Sequence, residues 1–339
     1  MTVRIGFLGA GFIARVHAHQ LGSIETPHEV VAVHDPATHR AEKFADWQSC
    51  AVAASIDELI DASDAVFICT WTSEHPAQLA AATAAGRAVF CEKPLAIDLA
   101  AARRMADTVI DSGVVNMVGL VLRSQPAMLA LRELISDPAA GRIMNVVFRD
   151  DQYIPTQGMY RSTWRADRTK AGAGTLLEHS IHDLDILEWL CGPIETVSAH
   201  AANFHGIDGI EDSVSVLARF VGGHTATLSS IWHDIIDRPS LRRMEVFSER
   251  SLAVLEGDDG PVRWQRDGDR GRLDDATIVA WLAQRGLDPV AAEQQFLEAV
   301  IAGGPSPSPT ILDAVRPHVL VDAVYRSAAT GGAPIDVSP

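Results

Sequence analysis

No run of eighteen or more apolar residues occurs in the chain, so no segment reads as a membrane-spanning helix. The first residues, "TVRIGFLGAG", are strand-like and replace the basic stretch and long apolar core of a secretory leader, so the expected location is cytoplasmic. Positive charge is scarce. Lys and Arg number 28 against 44 Asp and Glu, a formal net charge of −16, which argues against nucleic acid and anionic membranes as partners. A small molecule is the expected ligand. Cysteine is sparse too: Cys50, Cys69, Cys91 and Cys191 show no C-x-x-C spacing, and three lie in apolar segments, as reduced core residues do. There is no internal repeat.

What is present suits two domains with real cores: 339 residues, 47% hydrophobic and 21% charged. From residue 3, short apolar runs ("VRIGFLG", "EVVAVHD", "DAVFICT", "AVFCEKP", "NMVGLVL") alternate with helical ones ("ARVHAHQL", "HRAEKFADW", "PAQLAAATAAG"). That order predicts βαβ units and a doubly wound parallel sheet, a domain over residues 1–122. The pattern then changes to longer alternating strands such as "RIMNVVFRDDQYI" and "DSVSVLARFVGGHTATLSSIWH", with Gly222-Gly223 as a hairpin signal. Residues 123–339 are therefore expected to form an α/β domain on a large, mostly antiparallel sheet. Helices over "DPVAAEQQFLEAVIAG" and "ILDAVRPHVLVDAVYRSAATG" are expected around that sheet, with "GGPSPSP" (303–309) as a surface connection.

"FLGAGFIA" holds Gly9-x-Gly11-x-x-Ala14 between a strand and a helix, where glycines permit close approach to a pyrophosphate and the helix N-terminus offers N–H donors. Asp35 ends the next strand, placed to accept hydrogen bonds from an adenosine ribose. A carboxylate there repels a 2′-phosphate and favours NAD over NADP, although His39 and Arg40 pull the other way.

The stretch "GTLLEHSIHDLDILEWLCG" (174–192) sets two histidines and several carboxylates among aliphatic residues. On a regular helix Glu178, His182, Asp185 and Trp189 share one strip bordering the buried face. Three readings follow: a metal site, an acid/base pair, or a solvated face. His179 points away from His182 on such a helix, so a metal tripod of Glu178, His179 and His182 needs a distorted one.

Together these residues resemble the glucose–fructose oxidoreductase, inositol dehydrogenase and MocA-like oxidoreductases. The match runs nearly end to end through "GAGFIA" (9–14), "EHPAQLAAATAAGRAVFCEKPLA" (74–96), "GLVLRSQPAM" (119–128), "WRADRTKAGAGTLLEHSIHDLDILEWLCG" (164–192) and "VDAVYRSAATG" (321–331). The resemblance implies a Rossmann domain joined to an α/β domain on a large open sheet, an active site between them, and an NAD-dependent oxidoreductase acting on a sugar, inositol or related polyol. It makes Lys93 and His182 catalytic, with Glu178 orienting His182. Gly9, Gly11, Phe12, Ile13, Asp35, Thr70, Trp71, His75, Glu92 and Lys93 are assigned to the cofactor. Arg123, Tyr153, Arg161, Trp164, Arg165, His179 and His233 are assigned to the substrate, with "RDDQY" (149–153) as further hydroxyl readers; no residue is assigned to metal. The family's usual Asp-x-Gly-x-His is here Glu178-His179-Ser180-Ile181-His182, with an acid one methylene longer and Ser180 in place of the small Gly. Alternatives are transient oxidation by tightly held NAD in an epimerase, lyase or glycoside-cleaving enzyme, a metal-dependent hydrolase or lyase, and a non-enzymatic NAD sensor. A homodimer or homotetramer through the second sheet is also expected.

Overall fold

A computed structural model describes residues 1–339, which divide into two compact units. The first begins β1 (Val3–Leu8), α1 (Phe12–Leu21), β2 (His28–His34), α2 (Thr38–Gln48), β3 (Ala51–Val52), α3 (Ile56–Ala62) and β4 (Ala65–Ile68). It continues with α4 (His75–Ala84), β5 (Ala88–Cys91), α5 (Leu99–Ser112) and β6 (Asn116–Val118). All strand pairs are parallel, in the order β3-β2-β1-β4-β5-β6. β4 and β5 are buried at every position, as expected of central strands covered on both faces. The order reverses between β1 and β4, so the ends of these strands form the switch point where doubly wound folds bind ligands.

The second unit contains α6 (Pro126–Ser136), β7 (Ile143–Tyr153), the short α7 (Arg168–Ala171) and α8 (Thr175–Glu178), and α9 (Ile181–Cys191). After these come β8 (Ile194–Ala202), β9 (Ser213–Phe220), β10 (Thr225–His233), β11 (Leu241–Ser248), β12 (Ser251–Glu256), β13 (Val262–Arg266), β14 (Asp269–Leu273) and α10 (Asp275–Ala283). The nine-stranded sheet runs β14-β13-β12-β11-β7-β10-β9-β8-β15, where β15 is Ile335–Asp336. Only β7 and β10 pair in parallel. β9 alternates strictly between buried and outward residues, and the core forms where its inner side meets α6, α8 and α9. Gly222-Gly223 does turn β9 into β10, with the Gly223 N–H on the Phe220 carbonyl.

The two compact units do not follow a single cut after residue 122, because Thr169–Gly172 and Val290–Arg316 both return to the first. Val290–Arg316, with α11 (Ala292–Ala302), belongs to the first unit, where α11 packs on α1 and β1 instead of around the second sheet. Its apolar face supplies Phe296, which meets Phe67 and Phe90 edge-on. The "GGPSPSP" connection is more than a surface link: Ser306 Oγ accepts the Asn116 N–H and the Pro309 carbonyl accepts that of Val118, so it satisfies edge strand β6. The first unit thus includes Met1–Leu120, Thr169–Gly172 and Val290–Arg316, the last ending inside α12 (Ile311–Ala329).

Candidate active site

In the first unit the loop after β1 is shaped for close approach. Gly9 has φ +93, and a Cβ there would meet the Cys69 carbonyl oxygen at 2.6 Å. A Cβ on Gly11 would meet nothing within 4 Å, so the space before α1 is open, and α1 begins at Phe12 and Ile13 without a side-chain cap. An uncapped helix start facing open space suits a pyrophosphate. Asp35 accepts the N–H of Ala10 through Oδ2 (2.9 Å) and of Ala37 through Oδ1 (2.8 Å). It therefore braces the glycine loop as well as ending β2, and a carboxylate has further lone pairs to offer a ribose.

Across the switch point, Thr70 donates to Gln78, and His75 contacts two carbonyls, that of Pro94 from Nδ1 (2.9 Å) and that of Thr70 from Nε2 (3.3 Å). His75 thus ties the chain after β4 to the Glu92-Lys93-Pro94 turn after β5. Trp71 lies under the Lys170 ammonium, 4.6 Å from the ring centre.

In the second unit the helix expected over 174–192 is broken. α8 ends at Glu178 and α9 starts at Ile181; the N–H groups of His179 and Ser180 both reach the Thr175 carbonyl, the second spanning five residues. Ser180 Oγ and Thr175 Oγ1 both bond Ser230 Oγ on β10 (2.6 and 2.9 Å), pinning the wide turn to the sheet. A regular 100° step therefore does not carry from Glu178 to His182, and the strip expected from it does not exist as drawn. The solvated-face reading fails as well. Glu178 is 2% exposed and His182 9%.

Each buried acid of the segment is held by an arginine. Arg165 Nε donates to Glu178 (3.1 Å), while its guanidinium lies over Trp164. Arg123 grips Asp185 with two bonds (2.9 and 2.5 Å), and Arg242 Nε donates to Asp183 (2.7 Å). Arg242 also contacts Asp150 (3.0 Å) and Asp258 (2.8 Å), and His179 Nε2 lies 2.8 Å from Asp150. Burial, then the charge of neighbouring Asp150, pushes the Asp183 carboxyl up to about 7 against the pull of Arg242. Of the remaining substrate candidates, Tyr153 is buried and its hydroxyl accepts the Met159 N–H; His233 Nδ1 accepts that of Ile235. Arg161 sits at φ +43 in the loop before Trp164. The "RDDQY" acids face arginines: Asp151 meets Arg149 and Arg238.

Two family models match the chain: an oxidoreductase family with an NAD-binding Rossmann fold over residues 3–120, and the GFO/IDH/MocA C-terminal domain over 128–253. An inositol 2-dehydrogenase of Rhizobium meliloti is 32% identical over 97% of this chain and 98% of its own, and a 1,5-anhydro-D-fructose reductase of Ensifer adhaerens 31% over 97% of each. The chain belongs to the GFO/IDH/MocA oxidoreductase family. An oxidoreductase domain protein from Kribbella flavida shares its fold at TM-score 0.85, 22% identical with complete coverage of both chains.

Membership makes this an NAD-dependent oxidoreductase, and the open loop at Gly9 and Gly11 fits that cofactor. Ser180, where the family commonly has Gly, now has a physical account: its hydroxyl is spent on Ser230. Asp150 is among the candidates within "RDDQY", but no motif marks Arg242, the cation that pairs with it. A signal existed, because Met244 and Val246 mark the inward positions of β11, and the same alternation turns Arg242 inward, where a cation needs carboxylates.

Proposed function

We propose that His182 takes the proton from a substrate secondary hydroxyl, that Glu178 orients its imidazole, and that the Lys93 ammonium stabilises the developing alkoxide. Imidazole suits proton transfer near neutral pH, and a fixed cation lowers the cost of charge on oxygen. The nicotinamide of NAD supplies the hydride acceptor. The observation that carries the reading is that Glu178 and His182 are buried on one pinned turn, with Glu178 held by Arg165, as a positioned acid/base set requires and a solvated face does not. Arg165 pairs with Glu178 and lies over Trp164, and Arg123 pairs with Asp185 on the same helix as His182, which supports a role for them in shaping the substrate site. Among relatives, one is named for inositol and another for 1,5-anhydro-D-fructose, which supports a cyclic polyol or sugar as substrate.

The test is a screen of inositols and cyclic sugars with NAD, read as NADH absorbance, followed by variants. Removing a general base costs roughly 10²–10⁴-fold, so His182→Ala is expected to lower kcat at least about a hundredfold, and Lys93→Ala comparably. Both should leave NAD affinity within about threefold, because the phosphates are read by the glycine loop. Near-wild-type turnover in folded His182→Ala would show that the base is another residue. Turnover of substrate without net NADH would instead assign a transient oxidation.

The same reading includes a cytoplasmic homodimer or homotetramer joined through the nine-stranded sheet. Strand register sets Leu217, Thr227, Val147 and Glu245 in one row, with Phe247 in the next; Leu217, Val147 and Phe247 are exposed, which supports a covered apolar face.

A further inference from the structure

α1 carries an imidazole that the proposed chemistry does not use. His17 is 2% exposed, and both ring nitrogens meet carboxylates: Nδ1 lies 2.7 Å from Glu293 and Nε2 2.8 Å from Glu92. A neutral imidazole has one N–H and satisfies only one of these oxygens, setting a lone pair against the other; the cation donates to both. Burial opposes that charge, but the bonds to Glu293 and Glu92 outweigh it and carry the pKa up to about 9. The walls are aromatic. Phe90 meets the imidazole edge-on at 4.9 Å, Phe67 lies 5.7 Å away, and Phe296 closes on both phenyl rings.

A buried ion triad is weak evidence for stability, since apolar replacements of like volume often serve as well. What distinguishes this one is where it ends. Glu92 Oε1 faces His17, while Glu92 Oε2 accepts the Lys93 backbone N–H (3.3 Å). A Cβ on Gly119 would lie 2.2 Å from Glu92 Oε1, so the neighbouring strand end leaves room for the carboxylate in this place. On the other side of Lys93, the Pro94 carbonyl is held by His75. The lysine therefore leaves a backbone tied down before and after it.

We propose that His17 is a positioning residue for Lys93: bridged to Glu293 of α11, it fixes the Glu92 carboxylate that holds the lysine's backbone. The catalytic consequence rests on the role given to Lys93 above; the clamp itself does not. It also gives α11 a task, since its segment, Val290–Arg316, returns long after Leu120 to complete the first unit.

The chain has only three lysines, Lys43, Lys93 and Lys170, so brief labelling by an amine-reactive ester, read peptide by peptide in a mass spectrometer, reports on Lys93 with two internal controls. In His17→Gln, an amide can serve one carboxylate only. Lys93 labelling is expected to rise at least about threefold while Lys43 and Lys170 keep their rates, the mark of local loosening. A small displacement of a catalytic group is costly, so kcat should fall about ten- to a hundredfold with NAD affinity within about threefold. Glu293→Gln keeps an acceptor for the Nδ1 proton; it should shift labelling and kcat in the same direction by less, and serves where His17→Gln folds poorly. Unchanged Lys93 labelling in both variants, or equal change at all three lysines with a lowered Tm, would overturn the proposal and leave His17 a core ion pair. Full activity in Lys93→Ala would sink the catalytic reading of Lys93 instead, and labelling, which needs no turnover, would still decide the clamp.

Discussion

Asp183 is wholly buried beside Asp150, and two carboxylates that close in a dry site resist carrying two charges. Its native pKa, about 7, lies above the usual 3.8, so the folded form keeps a proton that the unfolded chain has already released. The sign follows directly: this group's contribution is fully present below pH 4 and is lost as pH rises through about 7. Asp183→Asn should flatten the decline of Tm across that window, as thermal melts at successive pH values would show. Asp35 is a second single-residue case. Asp35→Ser should narrow the preference for NAD over NADP in fluorescence titration, because serine no longer repels a 2′-phosphate. It should also loosen the glycine loop, since the Ala10 and Ala37 N–H groups lose their acceptors.

At the scale of elements, α8 is one turn long and cannot hold itself. Glu211 holds it: one carboxylate accepts the N–H groups of Gly174 (2.8 Å) and Leu176 (3.0 Å) and the Tyr325 hydroxyl (2.9 Å). Its own carbonyl takes the Thr175 N–H. Glu211→Ala should cost about 1–3 kcal/mol, the usual penalty for stranding buried donors, measured by denaturant unfolding. Because α8 ends in Glu178, kcat should fall as well. The helical character of 175–191 was legible in its apolar spacing, since Leu177, Ile181 and Leu184 keep the helical period through the break. The break was not. It depends on Ser230, fifty residues on, offering its hydroxyl to Ser180 and Thr175.

For the whole molecule, the outward row of the second sheet gives the proposed oligomer a simple test. Leu217→Glu places a charge amid Val147 and Thr227, and light scattering should then show a smaller species than wild type. The same mass for both would rule out this face. Dialysis against a chelator should leave turnover intact. Glu178 and Asp185 each spend their charge on an arginine, Asp183 keeps its proton up to about pH 7 beside Asp150, and His179 faces Asp150, so these groups are poor candidates for a shared cation. Activity lost to the chelator and restored by zinc would contradict that.

The two kinds of sheet, the hairpin at Gly222-Gly223 and the glycine loop before α1 follow from the sequence by itself. Each rests on backbone preference and on which side of a strand or helix is apolar, and such periods are written within ten or twenty neighbouring residues. Lys93 and His182 are picked out by the family resemblance of the short motifs that hold them, not by any such period. What only the tertiary structure decided is how buried charges are matched. His17 finds Glu293 from 276 positions away, Arg242 finds Asp183 across 59, and α11 joins the first unit after the chain has passed through β7 to β14 of the second sheet. A charge taken out of water must be met by a partner within about 3 Å, and no local period encodes which distant residue will arrive there.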